Sequence, residues 1–385
     1  MNKILPLLIL CFICFKGISQ TSPEIIAQVK LDSLVKTVRQ FSGEDSCLVA
    51  GVKVKIINRV SSTGNDVAAD YLAERLNSIG VTVTSDVYSA GGRNIYGTQL
   101  GLVYADSIVM ICCHYDAVAD YCADDNASGV GIILEAARIL SQYQFKRTIV
   151  YAFWDEEEVG LLGSKHHALQ SNNNSHKYSA VLNIDMAAYD ANDDGIFDID
   201  LNSSAGSIKI KDDLVAIGAS NSLNITPTVV QPGTADSDHS SFWTYGYPAV
   251  LLGESWDSND QNPHYHTSAD RISLFNLPYY HEIAKLAIAY LEQTAEPASG
   301  VSTQVLPVEE LDMYINPLTN KLSVNVETPS TLEIFDLNGQ LVMQKQLTAG
   351  QNEINLNHLS QAMYVVKVYS AQSPLVREMK IIKGK

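Results

Sequence analysis

Residues 105–163 read ADSIVMICCHYDAVADYCADDNASGVGIILEAARILSQYQFKRTIVYAFWDEEEVGLLGS. Two apolar runs, residues 107–113 and 148–153, are rich in β-branched and aromatic side chains and have the length of buried strands. The first ends in His114-Tyr115-Asp116 and the second in Asp155-Glu156-Glu157-Glu158. Between them stand Asp124-Asp125-Asn126-Ala127-Ser128-Gly129 and a helix-like run, residues 130–140, with Ile132, Ile133, Ala136, Ala137 and Leu140 apolar. This is a strand–loop–helix–strand unit with acids and a histidine at the carboxyl ends of its strands, the edge where open α/β sheets bind ligands. Carboxylates gathered there repel one another and titrate upward unless a cation holds them, and a divalent metal is the simplest such cation.

The flanks extend the pattern. Residues 24–41 and 65–79 have helical spacing, and Gly80 stops the second. Residues 52–57 and 81–83 look extended. Further on, the apolar run 178–184 closes on Asp185-Met186, and 248–252 closes on Gly253-Glu254. A polar loop with His264, His266 and Asp270 follows, then a last helix over 278–291. Strands alternating with helices predict a three-layer α/β/α sandwich around a mixed, mostly parallel sheet.

The 385-residue chain has room for two or three domains, and a 46% hydrophobic content supplies a core. A formal charge of -17 argues against nucleic acid or an anionic membrane as partner. Residues 1–19 read as a signal peptide: Lys3 supplies the positive start, 4–15 are apolar but too short to span a bilayer, and Gly17-Ile18-Ser19 offers a cleavage site. No later segment is a membrane-span candidate. Export leaves Cys47, Cys112, Cys113 and Cys122, for which disulfides and buried thiols both stay open. Adjacent Cys112 and Cys113 point to opposite faces of a strand.

HYD, ADDNASG, EEVGLLGS, NIDM and YHTSAD, in this order across residues 24–292, resemble the co-catalytic di-zinc aminopeptidases of metallopeptidase family twenty-eight. The resemblance implies the zinc-dependent exopeptidase fold and two Zn²⁺. It places His114 and Asp185 on one ion, Glu158 and His266 on the other, and Asp125 between them. It makes Glu157 the general base for a metal-bridging water, and Asp116 the residue that orients His114. It also implies a cis peptide after Asp125, a bond costing about 3–4 kcal/mol. By residue type alone, Asp124 competes with Asp125 and His264 with His266; the motif register selects the second of each pair. An acidic run such as 155–158 is ordinarily a solvated loop, but here apolar residues flank it on both sides. His239 reads as pocket wall; His166, His167, His176, His281 and His358 read as ordinary histidines.

Residues 190–198 carry the D-x-N-x-D-G spacing of a calcium loop, with Asp190, Asn192, Asp194 and Asp198 as ligands; Leu201 stands where such a loop has glutamate. Residues 293–307 read as a linker between the peptidase domain (20–292) and a small all-β sandwich (308–385), whose short alternating strands include an Asn338-Gly339 hairpin turn. YINP, IFDLNGQLV, LTAGQNEINL, MYVVKV and a basic end resemble the sorting domain of type nine secretion cargo. That resemblance implies a Gram-negative source, the outer-membrane secretion machinery as partner and a secreted or cell-surface product. The expected function is a secreted aminopeptidase acting on peptides. The alternatives are a single-zinc glutaminyl cyclase-like enzyme and a non-catalytic metal-binding ectodomain.

Overall fold

A computed structural model describes residues 22–256, 260–298, 313–316, 321–326, 328–336, 340–360, 362–370 and 373–382. The expected signal peptide, most of the linker and the Asn338-Gly339 turn lie outside them.

The chain opens with helices α1 (Ser22–Ile26) and α2 (Leu31–Phe41), where the apolar spacing predicts one helix over 24–41. Tertiary bonds take over the backbone at the break: Lys30 N donates to Glu135 Oε1 at 2.9 Å, and Arg138 Nη2 donates to Gln28 O at 2.8 Å. A short hairpin, β1 (Cys47–Val49) with β2 (Val52–Val54), leads to α3 (Ser62–Ser78), whose Ser61 side chain caps the first turn.

Next come β3 (Thr82–Val87), β4 (Arg93–Gln99), β5 (Tyr104–His114), α4 (Gly129–Leu140), β6 (Arg147–Trp154), α5 (Leu162–Asn173) and β7 (Lys177–Ile184). They are followed by β8 (Ile196–Leu201), α6 (Ala205–Ser220), β9 (Thr226–Val230), α7 (His239–Trp243), β10 (Ala249–Glu254) and α8 (Leu277–Ala295). Eight strands form one mixed sheet in the order β3-β4-β6-β5-β7-β10-β8-β9. The four central strands β6, β5, β7 and β10 are mutually parallel, so their carboxyl ends share one edge. α8 runs past the expected end at residue 291 because Leu291, Glu292 and Ala295 are still buried.

Period-two alternation divides the core. Val109, Ile111 and Cys113 of β5, with Ile149, Tyr151 and Phe153 of β6, face a layer built from α1, α2, α4 and α8. Met110, Cys112, Val150, Ala152 and Trp154 face the other side, where Ala168 of α5 and Phe242 of α7 cover them. His167 sits there among Tyr96, Trp154 and Phe242, its ring bonded to Tyr178 Oη at 2.8 Å, and burial pulls its pKa down to about 3. The four cysteines among the described residues are buried free thiols, with Cys112 and Cys113 on opposite faces as expected. Gly129 admits the start of α4: a Cβ there would lie 2.4 Å from Asn126 Oδ1 and 2.9 Å from the Cβ of Cys113.

The C-terminal part has two antiparallel sheets. One is β11 (Met313–Asn316), β12 (Lys321–Val326) and β15 (Gly350–Asn355); the other is β14 (Leu341–Leu347), β13 (Ser330–Phe335), β16 (Met363–Ser370) and β17 (Ser373–Ile382). Leu322, Val324 and Ile354 from the first and Leu332, Ile334, Val366 and Val368 from the second share one apolar core, as a small sandwich requires.

Ile111 is fully buried at the middle of β5. Ile111→Ala should lower the unfolding free energy by about 2–5 kcal/mol in urea titrations. A smaller loss would mean that the helix layer closes over the void.

Candidate metal centre

Each expected donor stands at the end of a central strand or in a loop crossing that edge. His114 is the last residue of β5, Glu157 and Glu158 follow β6, Asp185 follows β7, and Asp125 lies in the turn before α4. The loop after β10 brings in His266 at φ +60°. His114 Nε2 lies 3.1 Å from Asp125 Oδ1 and 3.3 Å from Asp185 Oδ1. His266 Nε2 lies 3.3 Å from Asp125 Oδ2 and 3.1 Å from Glu158 Oε2. The five expected ligands therefore fall into two triads, His114–Asp125–Asp185 and Asp125–Glu158–His266, joined through the two oxygens of Asp125, and Glu157 also comes within reach of His114 and Glu158. The peptide bond after Asp125 is cis, as the family resemblance implies.

The competing residues point elsewhere. Asp124 accepts from Ala188 N at 3.1 Å and lies against Glu254. His264 joins none of the donor clusters found among the described residues. His239 is buried, its Nε2 3.0 Å from Thr234 O. The run 155–158 is a built part of the site. Asp155 is buried and accepts from Asn65 Nδ2, Arg93 N and Tyr115 Oη, and Glu157 is only 9% exposed.

A surrounding set fixes the donors. Asp116 lies 3.5 Å from His114 Nδ1 and accepts the amides of Glu157 at 3.1 Å and Glu158 at 3.2 Å. It thus ties the ends of β5 and β6 together. Ser237 Oγ donates to Asp185 Oδ2 at 2.6 Å and accepts from Asn183 Nδ2 at 2.7 Å. Asp270 accepts the backbone amides of Asp124 and Asp125, both at 3.0 Å, holding the turn from the His266 loop. The sequence reading assigned no role to Ser237, Asp155 or Asp270. Ser237 stands two residues before His239, and Asp270 is the last residue of YHTSAD.

Divalent metal fits these residues. Asp125 Oδ2 and Glu158 Oε1 are buried without a hydrogen-bond partner, and an unpaired buried carboxylate oxygen is costly unless a cation meets it. Two imidazole nitrogens with three carboxylates suit zinc. The charge balance says the same. Burial pushes Glu157 up to about 10 and Glu158 up to about 8, with neighbouring carboxylates adding to both and His114 opposing. His114 is pushed well above the ordinary imidazole range, Asp185 and Glu157 outweighing its burial, and His266 is raised by its bond to Asp125 above all. For Asp125, the bonds from His114 and His266 outweigh burial and hold the carboxyl low.

The expected calcium loop has a different make-up. Asp190 and Asp194 come together with Asp260, all within 4.8 Å. Asp190 accepts the amides of Asp194 and Gly195, both at 3.3 Å, and Asn192 Oδ1 accepts the amide of Asp194 at 3.1 Å. Asp198 lies buried in β8. The turn thus closes on its own hydrogen bonds.

Residues 94–291, just over half of the chain, match the profile of peptidase family M28. The chain belongs to that family. A second match, to the secretion system C-terminal sorting domain, covers residues 312–383, so the M28 peptidase carries a secretion signal at its C-terminal end. Leucine aminopeptidase 1 of Emericella nidulans is 28% identical over 309 residues, which is 72% of this chain and 74% of that protein. Leucine aminopeptidase 1 of Trichophyton equinum is 33% identical, with 45% of this chain and about half, 48%, of that protein covered. Among solved structures, LapA of Legionella pneumophila superposes with a TM-score of 0.61 at 22% identity over 71% of this chain and 76% of LapA. The Porphyromonas gingivalis glutaminyl cyclase does so at 0.54 and 18% over 69% of this chain and 99% of the cyclase. Both place the M28 domain in the shared fold.

The protonation pattern gives a signed expectation. With chelator present, folded protein keeps a proton on Glu157 between the ordinary 4.5 and about 10, a proton that the unfolded chain releases. The raised histidines act in the same sense above 6.5. Fewer protons on the unfolded chain mean that stability falls as pH rises, so the melting temperature of chelated protein should drop from about pH 5 to about pH 8. Zinc should remove that drop. A chelated protein whose melting temperature is flat or rises over this range would contradict the assignment.

Proposed function

We propose that the protein is a secreted zinc aminopeptidase that removes N-terminal residues from peptides. The observation that carries this reading is the pair of donor triads sharing Asp125 at the carboxyl edge of the sheet. The fungal relatives named leucine aminopeptidase support the exopeptidase part.

In this assignment His114 and Asp185 hold one zinc, Glu158 and His266 the other, and Asp125 both. Two ions held there would supply Lewis acidity, making water a better nucleophile and the scissile carbonyl a better electrophile. Glu157 holds no metal, and its backbone amide is fixed by Asp116 beside His114. Its carboxylate takes the proton of the attacking water and returns it to the leaving amine. Ionised Glu157 is costly in the metal-free pocket, where burial and neighbouring carboxylates favour its acid form. Added positive charge lowers that cost and leaves a base strong enough for the transfer. Asp116 and Ser237 act by position, keeping His114 and Asp185 turned toward the shared carboxylate.

Glu157→Gln should bind zinc as the parent does while kcat falls about 10²–10⁴-fold on aminoacyl chromogenic substrates, because only the proton carrier is lost. Retained turnover would remove Glu157 from this role. Metal analysis should give two zinc ions per chain; one zinc together with cyclisation of N-terminal glutamine would replace this reading with a glutaminyl cyclase.

The secretion route is part of the same proposal: leader-directed export to the periplasm of a Gram-negative bacterium, then passage across the outer membrane directed by the C-terminal sandwich. A passenger fused to residues 300–385 should appear in the medium of a strain with that machinery. Retention in the periplasm would refute the route.

A further inference from the structure

Arg59 is 1% exposed and ranks among the largest fully buried side chains of the protein. Among the described residues it makes no ion pair with a carboxylate. Its guanidinium spends its donors on backbone: Nε donates to Tyr115 O at 2.9 Å, Nη1 to Phe41 O at 3.1 Å and Tyr121 O at 2.8 Å, and Nη2 to Cys122 O at 2.8 Å. The plane lies 5.0 Å from the centroid of the Phe41 ring. A buried cation is expensive unless its donors are satisfied, and four carbonyls around one planar fork satisfy it without cancelling its charge.

The places it grips matter for the metal centre. Tyr115 stands between His114 and Asp116. Tyr121 and Cys122 end the same loop at φ +70° and +43°, directly before the turn that carries Asp125. Phe41 is the last residue of α2, where a carbonyl lacks a helical partner. One side chain thus pins both ends of the loop from His114 to Asp125 against the end of a helix. Burial disfavours its charge, and Cys122 together with the carboxylates of Asp125, Asp270 and Asp116 favours it without an ion pair.

We propose that Arg59 is a positioning residue for the metal centre. It pre-forms the loop that joins His114 to Asp125, so the donors of the two triads stand at their spacing before any ion arrives. This rests on the metal-centre reading above. Lysine keeps the charge but cannot reach several carbonyls from one plane. Arg59→Lys should therefore fold, judged by near-ultraviolet circular dichroism, and bind zinc about 10–100-fold more weakly in chelator competition, the range seen when support of metal ligands is lost. At saturating zinc, kcat should fall with KM held within about two-fold, since Arg59 touches no substrate. A folded Arg59→Lys that binds zinc as the parent does would overturn the proposal.

Hydrogen exchange on the unaltered chain tests the same point whether or not the variant folds. In chelator, the amides of Tyr121, Cys122 and Ala123 should be as protected as in the zinc-loaded protein. Free exchange that stops only on adding zinc would mean that the metal, not Arg59, orders the loop. Either readout is separate from the functional reading, since a parent that binds two zinc ions yet cleaves no peptide sinks the activity and leaves the clamp standing.

Discussion

Like charges confined at one edge of a sheet set the terms for everything else in the peptidase domain. Parallel packing of β6, β5, β7 and β10 brings Glu157, Glu158, His114 and Asp185 to neighbouring strand ends, and cross-loops add Asp125 and His266. No arrangement of these groups is stable by itself in a buried place. The protein answers with fixed donors aimed at the acids: two backbone amides on Asp116, two on Asp270, a hydroxyl on Asp185. Those bonds leave Asp125 Oδ2 and Glu158 Oε1 without a hydrogen-bond partner, while the imidazoles of His114 and His266 stand against the same two carboxylates. Carboxylates held from outside by fixed donors and faced by imidazole nitrogens are arranged for a cation.

Legibility followed chemistry more than periodicity. The central strands read clearly because both faces are covered, and a run such as IVMICC has one interpretation when turn signals bound it. The metal donors read clearly because each sits where an apolar run stops. Residues 93–99, RNIYGTQ, and 196–201, IFDIDL, are harder: the first has polar pairs at both ends and a glycine inside, and the second runs straight out of a polar turn, so neighbouring strands supply the missing context. Asp198, which the calcium-loop spacing includes, belongs to the second of these, while Asp190 and Asp194 meet Asp260 instead. α1 and α2 read as one helix because nothing in residues 27–30 shows that Glu135 and Arg138, a hundred residues away, will claim the backbone there.

The supporting residues were the least visible. Arg59 and Asp270 act on backbone groups, and backbone groups leave no mark in a sequence. Asp155 looked like one more acid in a charged run, although its role is to accept from Asn65, Arg93 and Tyr115 in a dry place. Only the fold shows that the carbonyls of Tyr115, Tyr121 and Cys122 converge on one guanidinium.

The four buried thiols bear on how this protein reaches the outside of the cell. Burial raises every one of them, Cys47 and Cys122 to about 11 and the adjacent pair well above the ordinary thiol range, so the reactive thiolate is scarce once the chain has folded. No sulfur–sulfur bond separates the reduced polypeptide that leaves the ribosome from the folded peptidase domain. External reductants therefore find no crosslink to break among the described residues of that domain.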